Sequence, residues 1–179
     1  AKKPVSLEVF GDDYLGMKNQ AFKITSWGKN VFVKIPVVNS KGIFMGKIIK
    51  QLNNKNIKIN ITAVYSAKQV SKILKKINKK SKVIISIFAG RAGDVGKNPI
   101  PEFKKSLLLS KRFKNVKILW ASVREPYNFL EAKKIGCHII TIPPSIIEKI
   151  EKFGKTLNQL SIETVKGFLK DSRKSNFKI

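Results

Sequence analysis

Residues 31–36 read VFVKIP, a short apolar and β-branched run with a lysine, Lys34, at its fourth position. A run of this composition is typical of a buried β-strand. Burying an unpaired ammonium group costs free energy. Lys34 therefore needs either a specific partner or a chemical role.

Runs of the same kind recur along the chain. Helical patterns lie between them, at residues 42–53, 66–79 and 126–135, and a last amphipathic stretch follows them at about 161–171. Continuous apolar strands that alternate with helices predict a parallel sheet covered by helices. The six predicted strands are VSLEVF (5–10), VFVKIP (31–36), IKINITAVY (57–65), KVIISIFAG (82–90), VKILWASV (116–123) and CHIITIPP (137–144).

Local signals predict where several helices begin and end. Ser66 and Gln69 have the spacing of a capping box, and Ser145 and Glu148 predict a second one. Gly136 is expected to end the helix before it. Lys23, in AFKITSW, is expected on the exposed face of an amphipathic helix.

The fold class predicted from this order is α/β, with two candidate architectures. A doubly wound sheet usually carries a Gly-rich turn after an early strand, and no G-x-G-x-x-G occurs in the sequence. Polar residues near the carboxyl ends of many strands favour a (β/α)8 TIM barrel instead. We expect one barrel domain over residues 1–179, with 161–179 as its C-terminal helix and tail.

The net charge of +26 first suggests a protein that binds nucleic acid or another polyanion. The chain has 33 lysines but 4 arginines, however, and the lysines are spread over most predicted helices. Recognition of bases and phosphates usually exploits the planar arginine fork. A solvated surface is therefore the favoured interpretation, and a noncatalytic basic barrel that binds RNA stays an alternative.

The remaining composition indicates a cytoplasmic protein rather than a secreted or membrane protein. Cys137 alone cannot form an internal disulfide. No run of about 18 apolar residues is present to span a bilayer, and the N-terminal residues lack the apolar core of a signal peptide. The sequence leaves the oligomeric state open, a homo-oligomer included.

Polar side chains occupy the same face of several predicted strands. Because side chains alternate along a strand, residues of equal parity point to one interior. Two of the chain's four arginines follow neighbouring strands. The guanidinium group is a fork-shaped donor that can hold a phosphate by two hydrogen bonds. The candidate site residues on these strands and at their ends are Glu8, Lys34, Asn60, Thr62, Ser86, Phe88, Arg91, Ser122 and Arg124.

Each of these residues also has a purely structural interpretation. The hydroxyls and the amide can be satisfied core groups, Glu8 and Lys34 can form a structural ion pair, and the arginines can pair with Asp94 or Glu125. In the chemical interpretation, Lys34 lies in a dry apolar interior that favours its uncharged amine, the nucleophilic form. A free amine beside a carbonyl substrate forms a Schiff base.

At this point the sequence resembles the transaldolase family, Schiff-base enzymes built on a (β/α)8 barrel. The resemblance covers nearly the whole chain through segments that occur in the family's order. These segments are SLEV (6–9), VFVKIP (31–36), INIT (59–62), SIFAGR (86–91), ASVR (121–124) and TIPP (141–144).

The resemblance implies a role for each site residue. Lys34 corresponds to the Schiff-base lysine, and Glu8 and Thr62 to the pair that binds the catalytic water. Arg91 and Arg124 correspond to the phosphate-binding arginines. The residues that correspond to the lining of the substrate site are Asn60, Ser86, Phe88 and Ser122.

The implied reaction is transfer of a dihydroxyacetone unit from a ketose phosphate, such as sedoheptulose 7-phosphate or fructose 6-phosphate, to an aldose phosphate in the pentose phosphate pathway. The resemblance implies that this reaction needs no metal and no organic cofactor. The related fructose-6-phosphate aldolases carry a tyrosine where this chain has Phe88, so direct aldol cleavage is the second alternative. Ile87, Ala89 and residues 92–94 also depart from the usual family pattern.

Six of the family's eight strands are legible, and they correspond to strands 3–8. The family's first strand brings an acid–base aspartate and its second a T-T-N-P-S segment, and these 179 residues contain no counterpart of that region. An open arc of strands would leave unpaired edges. We therefore expect that the sequence is a fragment and that this chain alone has little or no activity.

Overall fold

The computed structural model describes residues 2–175, which divide into two compact units with their boundary between Pro143 and Pro144. In the described part of the first unit the strands are β1 (Val5–Glu8), β2 (Val31–Pro36), β3 (Ile59–Val64), β4 (Val83–Phe88), β5 (Val116–Ala121) and β6 (Ile139–Ile140). The helices between them are α1 (Tyr14–Thr25), α2 (Gly46–Asn54), α3 (Ala67–Leu74), α4 (Ala89–Gly93), α5 (Ile100–Ser110) and α6 (Tyr127–Lys134).

The strands of this unit form one parallel sheet in which each strand pairs with the next along the chain, from β1 to β6. The sheet is a curled half-barrel, consistent with an incomplete (β/α)8 barrel. The predicted fold class is therefore confirmed. All six predicted apolar runs contain a strand, although β6 has only two residues.

The hydrophobic core lies between the sheet and its helices, because alternate strand residues are fully buried. Val33, Ile35, Ile59 and Ile61 have no exposed surface. On β5 the indole of Trp120 stacks on the ring of Phe103 from α5, with ring centroids 4.5 Å apart. The other face of each strand is thereby left to form the concave side of the half-barrel.

The pairing of β3 with β4 contains an irregularity close to the predicted site. The register shifts between Ile61 and Val64, so that β3 has one more residue than β4 over this stretch. Ala63 in this stretch has a φ of 56°, in the left-handed region. Bulges of this kind are common beside functional sites because they redirect neighbouring side chains.

Three of the local predictions are confirmed. Ser66 caps α3 through its side chain, which accepts from the Gln69 N–H, while the Gln69 side chain accepts from the Ser66 N–H. Gly136 follows α6 with a φ of 71°, a conformation that glycine adopts without strain. Lys23 is exposed on α1, as expected.

Two helix starts were predicted wrongly. Residues 37–45 form a small turn in which the Gly42 N–H donates to Asn39 and the Met45 N–H donates to Val37, so α2 begins only at Gly46. Ser145 is not an N-cap, because the helix α7 (Pro144–Ile150) already begins one residue before it. Proline fits the first turn of a helix, where its missing N–H leaves no bond unmade.

The second unit contains α7 (Pro144–Ile150) and α8 (Leu157–Ser175), and α8 includes the amphipathic stretch predicted at 161–171. None of the described residues of α8 is buried. Over residues 2–175, no helix combines the length and the apolar character that crossing a bilayer requires.

Candidate active site

A cavity of about 630 Å³ lies along the concave face of the sheet. Its wall combines side chains from β1 to β6, with apolar surface from Ile84 and Leu119 between the polar groups. Six of the nine predicted site residues line it, namely Lys34, Asn60, Thr62, Ser86, Phe88 and Ser122.

Strand alternation is the reason that these side chains meet. On β2, Val33 and Ile35 point into the core, so Lys34 between them points to the concave face. Lys34 is paired with Glu8 on β1 and with Asn60 on β3 in the parallel register. The sheet thus lines up three polar residues across neighbouring strands.

Lys34 has a charged partner on the adjacent strand. Its Nζ lies 3.2 Å from Oε2 of Glu8, and the two side chains are 28% and 43% exposed. The fully dry, apolar enclosure expected for Lys34 is therefore not found. The physical reason is the open half-barrel, which leaves the concave face accessible to solvent next to β1.

Asn60 is held in one orientation by two serines. The Ser86 hydroxyl donates to Oδ1 of Asn60 at 2.7 Å, and Nδ2 of Asn60 donates to Oγ of Ser6 at 3.0 Å. Asn60 and Ser86 are almost completely buried. This chain of hydrogen bonds crosses from β1 to β4 and fixes the amide at the floor of the cavity.

Thr62 differs from these residues because its hydroxyl is not satisfied by protein groups. The residue is 2% exposed, and its Oγ1 has no hydrogen-bond partner among residues 2–175. Leaving a buried hydroxyl unpaired is costly. An unpaired hydroxyl on a cavity wall can both donate to and accept from a bound water or substrate.

Ser122 and Gly90 bring the ends of β4 and β5 close together. The Ser122 hydroxyl accepts from the backbone N–H of Arg91 at 3.2 Å, and Ser122 itself has a φ of 63°. A Cβ at Gly90 would collide with the Ser122 carbonyl oxygen and would lie 2.6 Å from Cγ of Arg124. Only glycine fits at this contact.

The two predicted phosphate-binding arginines flank this contact but are not among the described residues that line the 630 Å³ cavity. The guanidinium of Arg91 lies 5.4 Å from the ring centroid of Phe88, a cation–π contact. Arg124 forms a bidentate ion pair with Asp94. Glu8, the third predicted residue that does not line this cavity, contacts the site through its ion pair with Lys34.

Hydrogen bonding from Arg124 lowers the pKa of Asp94, and the charges of Arg124 and Arg91 act in the same direction. The same hydrogen bond, followed by the charge of Asp94, raises the pKa of Arg124. Both groups are therefore ionised at neutral pH. Pairing with Asp94 is the structural alternative that the sequence left open for Arg124.

Sequence reasoning missed two polar residues of this region, Ser6 and Thr141. Ser6 and Thr141 line the cavity. Ser6 has the same parity as Glu8 on β1, and Thr141 follows β6, so both carried the strand-face signal that identified the other residues. For the described part of the chain, no cluster of three or more His, Cys, Asp or Glu side chains could hold a metal ion.

Comparisons with known proteins identify the family to which the chain belongs. The family model described as transaldolase/fructose-6-phosphate aldolase matches residues 1–179. The chain is 33% identical to a protein of Nitrosopumilus maritimus named probable transaldolase, over 97% of this chain and 73% of that protein.

Two further relatives carry the same name. A protein of Caldicellulosiruptor saccharolyticus is 32% identical, over 96% of this chain and 74% of its own length. A protein of a Sulfurihydrogenibium species is 36% identical, over 94% of this chain and 72% of its own length. With a six-stranded parallel half-barrel in its described residues and a lysine-containing cavity on the concave face, the chain belongs to the transaldolase/fructose-6-phosphate aldolase family.

Proposed function

We propose that this chain carries the Schiff-base and phosphate-binding parts of a transaldolase, which transfers a dihydroxyacetone unit from a ketose phosphate to an aldose phosphate. The observation that carries the proposal is the position of Lys34 on the wall of a 630 Å³ cavity, beside Glu8 and among hydrogen-bonding side chains. The lone Cys137 fits a reducing cytoplasm as the place of action.

The proposed reaction begins with the transfer of a proton from the ammonium of Lys34 to Glu8, whose carboxylate lies within 3.2 Å. The amine then attacks the carbonyl carbon of the ketose phosphate, and loss of water leaves a protonated imine. Glu8 returns its proton to the hydroxyl that leaves as water, which restores its carboxylate. The C3–C4 bond then breaks as the C4 hydroxyl gives its proton to the Glu8 carboxylate through the bound water, so the aldose phosphate departs and the bonding electrons pass into the imine as an enamine.

The enzyme returns to its free form by the same steps in reverse, with a different aldehyde as the acceptor. The enamine carbon attacks the carbonyl of the acceptor aldose phosphate, whose oxygen takes up the proton held by Glu8, and water then hydrolyses the new imine to free Lys34. We assign Thr62 and Glu8 to hold the water that leaves and enters. The unpaired buried hydroxyl of Thr62 supports this assignment.

Asn60, Ser86 and Ser122 are assigned to the substrate hydroxyls, with Phe88 as the apolar wall. Arg91 and Arg124 are assigned to the phosphate, because bidentate guanidinium groups suit phosphate oxygens. The ring of Phe88 lies 5.9 Å from that of Tyr65 and offers no hydroxyl toward the substrate. This supports transfer over direct cleavage of fructose 6-phosphate.

Borohydride trapping tests the proposal without requiring turnover. The chain is incubated with fructose 6-phosphate or sedoheptulose 7-phosphate, reduced, digested and mapped by mass spectrometry. A stable adduct on Lys34 is expected. A six-carbon or seven-carbon adduct reports Schiff-base formation alone, whereas a three-carbon adduct reports cleavage of the sugar as well.

Two variants make the result specific. Lys34→Met removes the proposed nucleophile and should abolish the adduct, while Lys23→Met, on the exposed face of α1, should leave it unchanged. Labelling of other lysines at equal rates, or no labelling of Lys34, would contradict the proposal. Release of glyceraldehyde 3-phosphate and dihydroxyacetone over many turnovers without an acceptor, beyond one equivalent per chain, would favour the aldolase alternative.

A further inference from the structure

Asp94 and Arg124 form an exposed ion pair that is held by several hydrogen bonds. Nε of Arg124 lies 3.2 Å from Oδ1 and 3.1 Å from Oδ2 of Asp94, and Nη2 lies 2.6 Å from Oδ2. One edge of the guanidinium is thereby occupied by a carboxylate. A phosphate binds an arginine through the same bidentate geometry, so Asp94 occupies donors that a substrate phosphate would use.

The pair also fixes where the guanidinium lies. Asp94 follows α4 and Arg124 follows β5, and both line a second cavity of about 380 Å³ together with Glu125 and Glu131. Arg124 is not among the described residues on the wall of the 630 Å³ cavity that contains Lys34. The Asp94 carboxylate therefore holds the Arg124 guanidinium at the 380 Å³ cavity, whose wall also carries Glu125 and Glu131.

Protonation does not release this arginine near neutral pH, because hydrogen bonding to Arg124 lowers the pKa of Asp94. Displacement by a stronger anion is the remaining route. A phosphate monoester carries a charge of about −1.5 to −2 at pH 7, against −1 for a carboxylate. The two side chains are about half exposed, at 52% and 48%, so the pair is accessible to such an anion.

We propose that Asp94 is an internal competitor for Arg124, which must be displaced when the phosphate of the substrate binds. This inference rests on the proposed function, in which Arg124 holds the sugar phosphate. It assigns Asp94 a role in specificity: the carboxylate occupies the arginine against weak anions and gives way to a phosphate. Asp94 is thus a positioning residue that acts through Arg124.

Because exposed ion pairs are weak, the expected effect is modest, about two- to five-fold in the phosphate concentration that Arg124 requires. Glu125 provides a matched control. It is adjacent to Arg124 in the chain and lines the same cavity, yet it forms no ion pair among the described residues. Asp94→Asn and Glu125→Gln each remove one negative charge, and the former also removes the bidentate pair.

Arginine-selective labelling with phenylglyoxal, followed by peptide mass spectrometry, measures the state of Arg124 directly. The exposed Arg112 and Arg173 serve as internal standards for reagent activity. In the wild-type chain we expect Arg124 to react more slowly than both. Asp94→Asn should bring its rate close to theirs, while Glu125→Gln should not.

Inorganic phosphate and fructose 6-phosphate are then added as protecting ligands, with fructose as the unphosphorylated control. Half-protection of Arg124 should need about two- to five-fold less of either phosphate in Asp94→Asn than in the wild-type chain. An unchanged rate of labelling, or an equal or higher concentration for half-protection, would overturn the inference. A far-ultraviolet circular dichroism spectrum confirms that the variant is folded.

The two proposals fail in different ways. If Lys34 is trapped by a ketose phosphate while Arg124 behaves identically in wild type and Asp94→Asn, only the role of Asp94 is wrong. If Asp94→Asn releases Arg124 and lowers the phosphate requirement while Lys34 is never trapped, the Schiff-base function is wrong. In that second case the competition between Asp94 and phosphate still stands.

Discussion

At the scale of single residues, the polar groups on the concave face fall into two kinds. Asn60 and Ser86 satisfy each other and are nearly completely buried, so they contribute to stability whatever the function of the cavity. Thr62 is equally buried, but its hydroxyl has no partner among the described residues. A group that costs stability and gains nothing from the protein is a strong candidate for contact with a water or a ligand.

This contrast predicts opposite effects of two conservative substitutions. Thr62→Val removes an unsatisfied hydroxyl and should raise the free energy of unfolding by about 1 kcal/mol. It should also slow trapping of the ketose phosphate on Lys34 by at least about tenfold, since it removes a water-binding group. Urea denaturation and the rate of the borohydride-trapped adduct measure the two effects.

Ser86→Ala is the matched control, because it removes a hydroxyl that is satisfied. Loss of the 2.7 Å bond to Asn60 should lower the free energy of unfolding by about 1–3 kcal/mol. Thr62→Ser retains a hydroxyl and should restore trapping. A Thr62→Val variant that loses stability and still traps substrate at the wild-type rate would show that Thr62 has only a packing role.

The sequence predicts these residues well where strand alternation alone places them. Lys34, Asn60, Thr62 and Ser86 carry a polar group between buried apolar neighbours, and all line the cavity. The environment of Lys34 could not be read in this way, because its exposure depends on how far the sheet curls. The Arg124–Asp94 pair depends on the path of the chain after α4, which no periodicity describes.

At the scale of secondary-structure elements, the contact between α4 and the end of β5 positions both arginines. Gly90 belongs to α4, and a Cβ there would collide with the Ser122 carbonyl and crowd Arg124. The close approach lets the Arg91 N–H reach the Ser122 hydroxyl. The geometry of the proposed phosphate-binding region therefore depends on one glycine.

A pair of glycine substitutions on α4 tests this dependence. Gly90→Ala should lower the free energy of unfolding by about 1–3 kcal/mol, because β5 or α4 must shift to accept the methyl group. It should also change the phenylglyoxal reactivity of Arg124, whose Cγ lies 2.6 Å from the added carbon. Urea denaturation and arginine labelling provide the measurements.

Gly93→Ala places the same substitution three residues further along the same helix. Its added Cβ would meet nothing within 4 Å, and alanine is favoured over glycine in a helix. We expect an unchanged or slightly higher free energy of unfolding and unchanged Arg124 labelling. Equal effects of the two substitutions would mean that helix propensity, not the approach to Ser122, controls this region.

The beginnings of helices show how far element boundaries follow from sequence. Ser66 and Gln69 form the predicted capping box because side chain and backbone satisfy each other locally. Ser145 has the same spacing to Glu148, but Pro144 already occupies the first helical position. The start of α2 is delayed by backbone hydrogen bonds within residues 37–45, which involve no distinctive sequence pattern.

At the scale of the whole molecule, the net charge of +26 has to be reconciled with a sugar-phosphate site. Lysines far outnumber arginines and occur on nearly every described helix, for example at the ends of α3 and α6. A surface of this kind attracts any anion weakly through its summed field and steers small phosphates toward the molecule. A polyanion-binding protein would instead concentrate its contacts in one patch.

Chromatography on heparin distinguishes these cases. If the charge is a diffuse, solvated surface, retention should be lost near an ionic strength of about 0.15 M, where screening acts within about 8 Å. Two double variants should weaken retention equally, Lys75→Gln with Lys76→Gln after α3, and Lys133→Gln with Lys134→Gln at the end of α6. Retention at much higher salt, with a steep dependence on its logarithm, would indicate many simultaneous phosphate contacts. Together with a loss confined to one of the two double variants, that result would favour the basic RNA-binding barrel over an enzyme that uses small sugar phosphates.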